Sequence, residues 1–314
     1  MNNYFSVQDI DALNDWVNEA IVLKKNPLSH NYLGKNKTIG LLFFNPSLRT
    51  RLSTQKAALN LGMNVMVMNF TGEGWSLEYE DGVVMDQGNS EHIKEAAQVV
   101  SQYCDVLAIR AFAKLEDREE DYKEKVLKSF IEYATIPVVN MESATGHPLQ
   151  ALTDAITITE HKKVRKPKVV LSWAPHPKAL PQAVANSFVE MMQRMEADFV
   201  ITHPVGFELA SQITKDVPID YNQENALKDA DFVYVKNWSS YSDYGQIGSD
   251  QQWRITEGKM KLTNQAKFMH CLPVRRNVVV DDAVLDGEHS IVIEQANNRT
   301  YAAQLVLKKI LEAK

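Results

Sequence analysis

Short continuous apolar runs recur along the chain, separated by stretches whose apolar residues return every three to four positions. Residues 39–44, 64–70, 106–110 and 136–140 are such runs, which predicts strands of a parallel sheet buried on both faces. Helical spacing covers 6–24 (Ile10, Leu13, Trp16, Val17, Ile21), 52–62, 89–103 and 121–133, with Gly62 placed to end the second helix. A further helix over 149–162 leads into a basic, Pro-bearing connector, 162–168, that reads as a hinge region. The alternation then restarts, with strands at 169–173, 198–202, 232–236, 268–270 and 290–293 and helices at 181–194, 225–229 and 299–311. Regular β–α alternation predicts an α/β fold of two doubly wound parallel-sheet halves, and such sheets take ligands at the C-terminal ends of their strands.

A chain of 314 residues is long for one core, so two domains are expected. The net charge of −6 leaves no basic excess for neutralising phosphates along a nucleic acid, which argues against that partner. No apolar run approaches the roughly 20 residues that span a bilayer, and the first residues carry neither a basic start nor an apolar signal core. Cys104 and Cys271 offer no metal spacing, and a structural disulfide is not expected, so a reducing cytoplasm fits. The eight histidines show no i, i+4 ligand pair, and the glycine-rich dinucleotide and nucleotide motifs are missing, so neither a metal nor a cofactor is indicated.

Chemistry-bearing residues collect after the predicted strands. The first strand runs into Asn45-Pro46-Ser47-Leu48-Arg49-Thr50-Arg51 and then a helix, so two hydroxyls and a guanidinium meet the positive end of a helix dipole. Taken alone, that turn is more readily explained as an ordinary Ser or Thr N-cap beside a solvated Arg. Arg110 ends another strand, Glu142 and His147-Pro148-Leu149-Gln150 follow the next, and the second series adds His176, Lys236-Asn237 and His270-Cys271-Leu272-Pro273-Val274-Arg275. Each has an ordinary explanation: a hydrogen-bonded structural His147, a snorkelling Lys236, an Arg110 paired with a carboxylate. Together they describe a basic cleft for a phosphorylated small molecule and a second charged substrate. His270 beside Cys271 in a strand points to the opposite face, which argues against a Cys–His nucleophile.

Ser47-Leu48-Arg49-Thr50 resembles the S-x-R-T carbamoyl-phosphate signature of the aspartate and ornithine carbamoyltransferases. His147-Pro148-Leu149-Gln150 resembles their H-P-x-Q element, and His270-Cys271-Leu272-Pro273 the H-C-L-P loop of the ornithine-type members. The resemblance implies a carbamoyl-phosphate domain at 1–148, an amino-substrate domain at 149–298, and a last helix, 299–314, packing back on the first. It also implies a homotrimer with shared active sites.

The aspartate-bearing loop that holds a free α-amino group in plain ornithine enzymes is not found here. Instead 173–181, with His176, is similar to the proline-rich loop of the N-acylornithine branch, where it helps form a knot. Within that branch Ser90 stands where acetyl-type enzymes carry Glu. A small neutral residue admits a longer, terminally charged acyl chain, so the resemblance favours N-succinylornithine over N-acetylornithine. Plain ornithine carbamoylation, or anion binding by a non-catalytic paralogue, stands further behind.

The site implied has Ser47, Leu48, Arg49, Thr50, Arg299 and Trp75 around the phosphate, Trp75 coming from a neighbouring subunit. Thr50, Arg110 and His147 take the carbonyl oxygen and Gln150 the carbamoyl NH₂. Backbone carbonyls of Cys271 and Leu272 hold the amine. Glu142, His176, Lys236, Arg275, Ser90 and Leu272 surround the acylated substrate.

Overall fold

The computed structural model describes residues 1–86 and 88–313, which divide into two compact units. The first comprises 1–114, 119–149 and 299–314, the second 115–118 and 150–298.

In the first unit a short 3₁₀ turn, Val7–Asp9, is closed by a Ser6/Asp9 capping box and precedes α1 (Leu13–Lys25). The single helix expected over 6–24 is therefore broken before Leu13. There follow β1 (Thr38–Phe43), α2 (Arg49–Asn60), β2 (Asn64–Asn69), the short pair β3 (Leu77–Glu78) and β4 (Glu91–His92), and α3 (Ile93–Tyr103). After β5 (Val106–Arg110) come α4 (Arg118–Tyr122), α5 (Lys125–Tyr133) and β6 (Val138–Glu142). The predicted 121–133 helix is split because Glu124 adopts φ +53°, a left-handed conformation that ends a helix.

The four-stranded sheet runs β2-β1-β5-β6, all parallel. Its inner strands are buried but for the half-buried Thr38, whereas β2 lies at an edge and exposes Met66 and Met68. Residues 3–5 cover the other edge, Tyr4 exchanging backbone hydrogen bonds with Val138 and Asn140. Gly62 closes α2 at φ +83°, and a Cβ there would stand 2.0 Å from the Asn31 carbonyl oxygen, so only glycine fits.

The second unit contains α6 (Pro148–His161), which begins in the first, then β7 (Lys168–Trp173), α7 (Ala183–Met192), β8 (Asp198–Thr202), α8 (Ser211–Thr214) and β9 (Ile219–Asp220). It continues through α9 (Gln223–Leu227), β10 (Phe232–Lys236), α10 (Glu257–Met260), β11 (Lys267–Met269) and α11 (Asp282–Leu285) to α12 (Val292–Glu312). The sheet order is β11-β10-β7-β8-β9, again all parallel. The basic connector 162–168 lies inside this unit, between α6 and β7.

Residues 290–293 form no strand: Ser290 makes one isolated bridge to Phe268, and α12 begins at Val292. Ile291 and Val292 are buried but Ile293 is 70% exposed, a one-sided burial that suits a helix start rather than an inner strand. From Arg299 onward α12 belongs to the first unit, where Gln304 bonds Asn60 and the Pro27 carbonyl and Lys308 bonds Glu19. Lys314, the end of the predicted last helix, lies outside the described residues. Among the described residues no helix is long and apolar enough to cross a membrane.

Candidate active site

The first unit gathers its basic residues at the C-terminal edge of its sheet. A register shift between β5 and β6 pairs Ile109 with Asn140 but Arg110 with Glu142, skipping Met141. That places Arg110 Nε and Nη2 at 3.2 and 3.1 Å from Glu142 Oε2. Arg110 Nη1 donates to the Asn45 carbonyl at 3.1 Å and to that of Pro46, and the guanidinium lies 4.0 Å from the centre of the Phe112 ring. Arg110 thereby joins β6 to the turn after β1, and Asn45 Oδ1 braces that turn by accepting from Phe112 N–H at 2.6 Å.

Helix α2 starts from Leu48 without a side-chain cap, so the ordinary N-cap explanation for Ser47 and Thr50 does not hold. Ser47 and Arg49 are half-buried, Leu48 is exposed, and Thr50 is buried. Thr50 Oγ1 accepts from Arg299 Nη2 at 2.6 Å, so the last helix supplies a second guanidinium. His147 Nε2 lies 3.4 Å from Arg299 Nη2 and 3.5 Å from Glu142 Oε2. Two buried guanidiniums against one carboxylate leave positive charge at a dry sheet edge, an environment that holds an oxyanion strongly. Glu142 thus sits within this half, on Arg110 and His147.

In the same unit Trp75 lies just before β3 and Ser90 just before β4. Trp75 is exposed, and its indole N–H donates to Glu91 Oε2 at 2.8 Å rather than to the Arg110–His147 group. Ser90 is exposed and tied by its backbone N–H to Ser76.

In the second unit β7 and β10 end in register, Trp173 opposite Lys236. Asn237 Nδ2 donates to Ala174 O at 2.7 Å, and His176 N–H to Gly248 O at 3.0 Å, which fixes the Pro-rich loop. A Cβ at Gly248 would meet Trp173 at 2.3 Å, so the close approach requires glycine. Arg275 Nε donates to His176 Nε2 at 3.2 Å, while His176 Nδ1 stands 2.9 Å from the Lys178 carbonyl. With Nε2 accepting from Arg275, the proton sits on Nδ1 toward the Lys178 carbonyl, and the Lys178 N–H, 3.1 Å from Nδ1, then finds no acceptor there. Burial lowers the His176 pKa below the ordinary histidine value, and Lys236, Arg275 and Lys178 push the same way against the opposing Lys178 carbonyl.

After β11 the chain turns at Leu272 (φ +55°) into a cis Leu272–Pro273 bond. His270 Nδ1 accepts the Leu272 N–H at 2.8 Å, and His270 N–H donates to Gln295 Oε1 at 2.9 Å. Cys271 is buried. Gln150 begins the second unit, and its Nε2 donates to Asp154 Oδ1 at 2.7 Å.

Three participants were not singled out from sequence: Asp154, Gln295 and Glu124. The signal for Asp154 was there, a carboxylate on a helix whose neighbours Ala151, Leu152, Thr153 and Ala155 are all buried. Glu124 accepts from the Ser143 hydroxyl (2.7 Å), from the Ala144 and Thr145 N–H groups (3.2 and 2.7 Å) and from the Thr145 hydroxyl, pinning the loop between Glu142 and His147.

Residues 2–160 match the carbamoyl-P binding domain of the aspartate/ornithine carbamoyltransferases, and 181–310 match their Asp/Orn binding domain. The chain is 51% identical over 315 residues, 99% of each chain, to an N-succinylornithine carbamoyltransferase of Bacteroides thetaiotaomicron. It is 36% identical to an N-acetylornithine carbamoyltransferase of Xanthomonas axonopodis pv. citri, covering 96% of this chain and 93% of that one. Among solved structures it is similar, at TM-score 0.91 and 35% identity over 98% and 99% of the chains, to a glutamate-to-serine mutant of N-acetyl-L-ornithine transcarbamylase complexed with carbamyl phosphate and N-succinyl-L-norvaline.

Proposed function

The chain belongs to the aspartate/ornithine carbamoyltransferase family, and on that footing we propose that it transfers the carbamoyl group of carbamoyl phosphate to the δ-amine of N-succinyl-L-ornithine. The products are N-succinyl-L-citrulline and phosphate, serving arginine biosynthesis in the cytoplasm. The observation that carries this reading is the end-to-end 51% identity to an N-succinylornithine carbamoyltransferase.

In this reading Ser47, Leu48, Arg49, Thr50 and Arg299 bind the phosphate at the uncapped start of α2. The neutral amine attacks the carbonyl carbon while Thr50, Arg110 and His147 donate to the oxygen as it becomes an oxyanion; removing one such donor typically costs about 3–4 kcal/mol of barrier. The bond from carbon to the phosphate oxygen then breaks, and the leaving phosphate takes the amine proton. Gln150 orients the carbamoyl NH₂, and the Cys271 and Leu272 carbonyls accept from the amine. His176, Lys236 and Arg275 supply the polar end of the acylornithine site, with Ser90 leaving room for the succinyl arm. Glu142 faces the acylornithine as well, and its contacts with Arg110 and His147 tie that role to the carbamoyl side of the site. We further propose a homotrimer in which Trp75 completes a neighbouring copy's site. The knot implied by the resemblance belongs to the same proposal, supported by the bond from the His176 loop to Gly248.

A citrulline-product assay with ornithine, N-acetylornithine and N-succinylornithine tests the reading, the succinyl compound being the expected substrate. Ser90→Glu should shift the preference toward the acetyl compound by about tenfold or more, because a like charge facing the succinate carboxylate is strongly unfavourable. Preference for N-acetylornithine in the unmodified chain would overturn the succinyl assignment.

A further inference from the structure

Asp154 is fully buried in α6, one helical turn beyond Gln150. Its Oδ1 accepts from Gln150 Nε2 and from Gln295 Nε2, both at 2.7 Å. Gln295 Oε1 accepts the His270 N–H at 2.9 Å, and His270 Nδ1 accepts the Leu272 N–H at 2.8 Å. Tyr234, fully buried on β10, interacts with both Asp154 and Cys271; burial first, then these neighbours, push its pKa well above the ordinary tyrosine value. One carboxylate oxygen of the second unit therefore anchors Gln150 and, through Gln295 and His270, the H-C-L-P segment.

A carboxylate taken out of water is costly, and a leucine of the same branched shape would avoid that cost. Its chemistry here is directional. A side-chain amide has one donor end and one acceptor end, so fixing Gln150 Nε2 on Asp154 turns Oε1 away as an acceptor. An acceptor is what a carbamoyl NH₂ requires, whereas a flipped amide would set NH₂ against NH₂. The Gln295–His270 arm meanwhile holds the turn whose carbonyls receive the amine.

We propose that Asp154 is a positioning residue for carbamoyl transfer, setting the amide orientation of Gln150 and, through Gln295 and His270, the Cys271–Leu272 turn. This rests on the carbamoyltransferase reading above. Asp154→Leu keeps the side-chain shape and removes the acceptors, while Asp154→Asn retains an oxygen at the same place.

The folded Leu variant should lose about a hundredfold in kcat with its KM for carbamoyl phosphate within about threefold of normal, and Asn should recover most of the loss. Steady-state kinetics on the full chain, with circular dichroism and the thermal midpoint recorded alongside, make the measurement. A folded Leu variant with kcat within about threefold of the parent would overturn the proposal. If that variant does not fold, Gln295→Met decides, leaving Asp154 and Gln150 in place: about a tenfold drop in kcat is expected, and an unchanged kcat overturns the proposal. If the unmodified chain turns over none of the three ornithines, it is the carbamoyltransferase reading that has failed, and this proposal falls with it.

Discussion

In the proposed acylornithine site, His176 is the side chain that would couple binding to pH. Its Nε2 accepts from Arg275, so the ring must be neutral for the pair to exist, and its folded pKa is depressed by burial and by Lys236, Arg275 and Lys178. The unfolded chain therefore binds the proton more readily, and stability rises with pH between the lowered folded pKa and the ordinary value near 6.5. Below that window the added charge faces three cations, and Arg275 loses its acceptor. The expected outcome is a KM for the acylornithine that stays level from about pH 8 to about pH 7 and rises as the pH falls from about 6 to about 5, while the KM for carbamoyl phosphate changes little. His176→Gln, which offers Arg275 a carbonyl oxygen at every pH, should flatten that profile; an equal rise in both proteins would assign the titration elsewhere. Sequence alone singled out His176 through its loop. Its tautomer and its direction of titration depend on Arg275, 99 positions away.

The inner strands β5 and β10 were legible because both of their faces are buried and the run of apolar residues is nearly unbroken, and they lie where the pattern predicts. Where burial is one-sided or the element very short, the same reasoning fails. The apolar 290–293 run is a short lead into α12, which begins at Val292, and α8, β9, α10 and α11, of four residues or fewer, carry no period to detect. The Arg110–Glu142 pair was hidden for another reason, since it depends on a register shift that no local pattern reveals. Glu124 illustrates the gap most sharply, because it breaks a predicted helix in order to hold the 143–145 loop. Glu124→Ala would leave the Ala144 and Thr145 N–H groups and the Ser143 hydroxyl without this acceptor, at about 1–3 kcal/mol for each unsatisfied donor. A loss of about 3 kcal/mol or more in urea unfolding is expected. Glu124→Gln, which keeps an oxygen at the Oε1 position, should lose clearly less, and an Ala variant as stable as the parent would remove the loop-anchoring role.

The first unit exposes apolar groups that a lone copy would leave in water. Leu48, Leu52 and Leu59 share one face of the α2 region, and Met66 and Met68 share one face of the edge strand β2. Val84 is 78% exposed on the segment that also carries Trp75 and Ser90. Exposed apolar groups of this number mark surfaces that associate, which supports the proposed trimer. The expected mass in solution is about three times the 35.6 kDa of the chain. Sharing of sites can be tested separately from assembly. Trp75→Ala and Lys236→Ala should each be nearly inactive alone, since each removes one side of every site. If Trp75 serves a neighbour, subunits exchanged at equal ratio rebuild some intact sites, those that draw Trp75 from one variant and Lys236 from the other. Random mixing then restores about a quarter of the parent activity per site. A site confined to one copy stays inactive however the variants are mixed, so a mixture no more active than its components would refute shared sites even if the trimer forms.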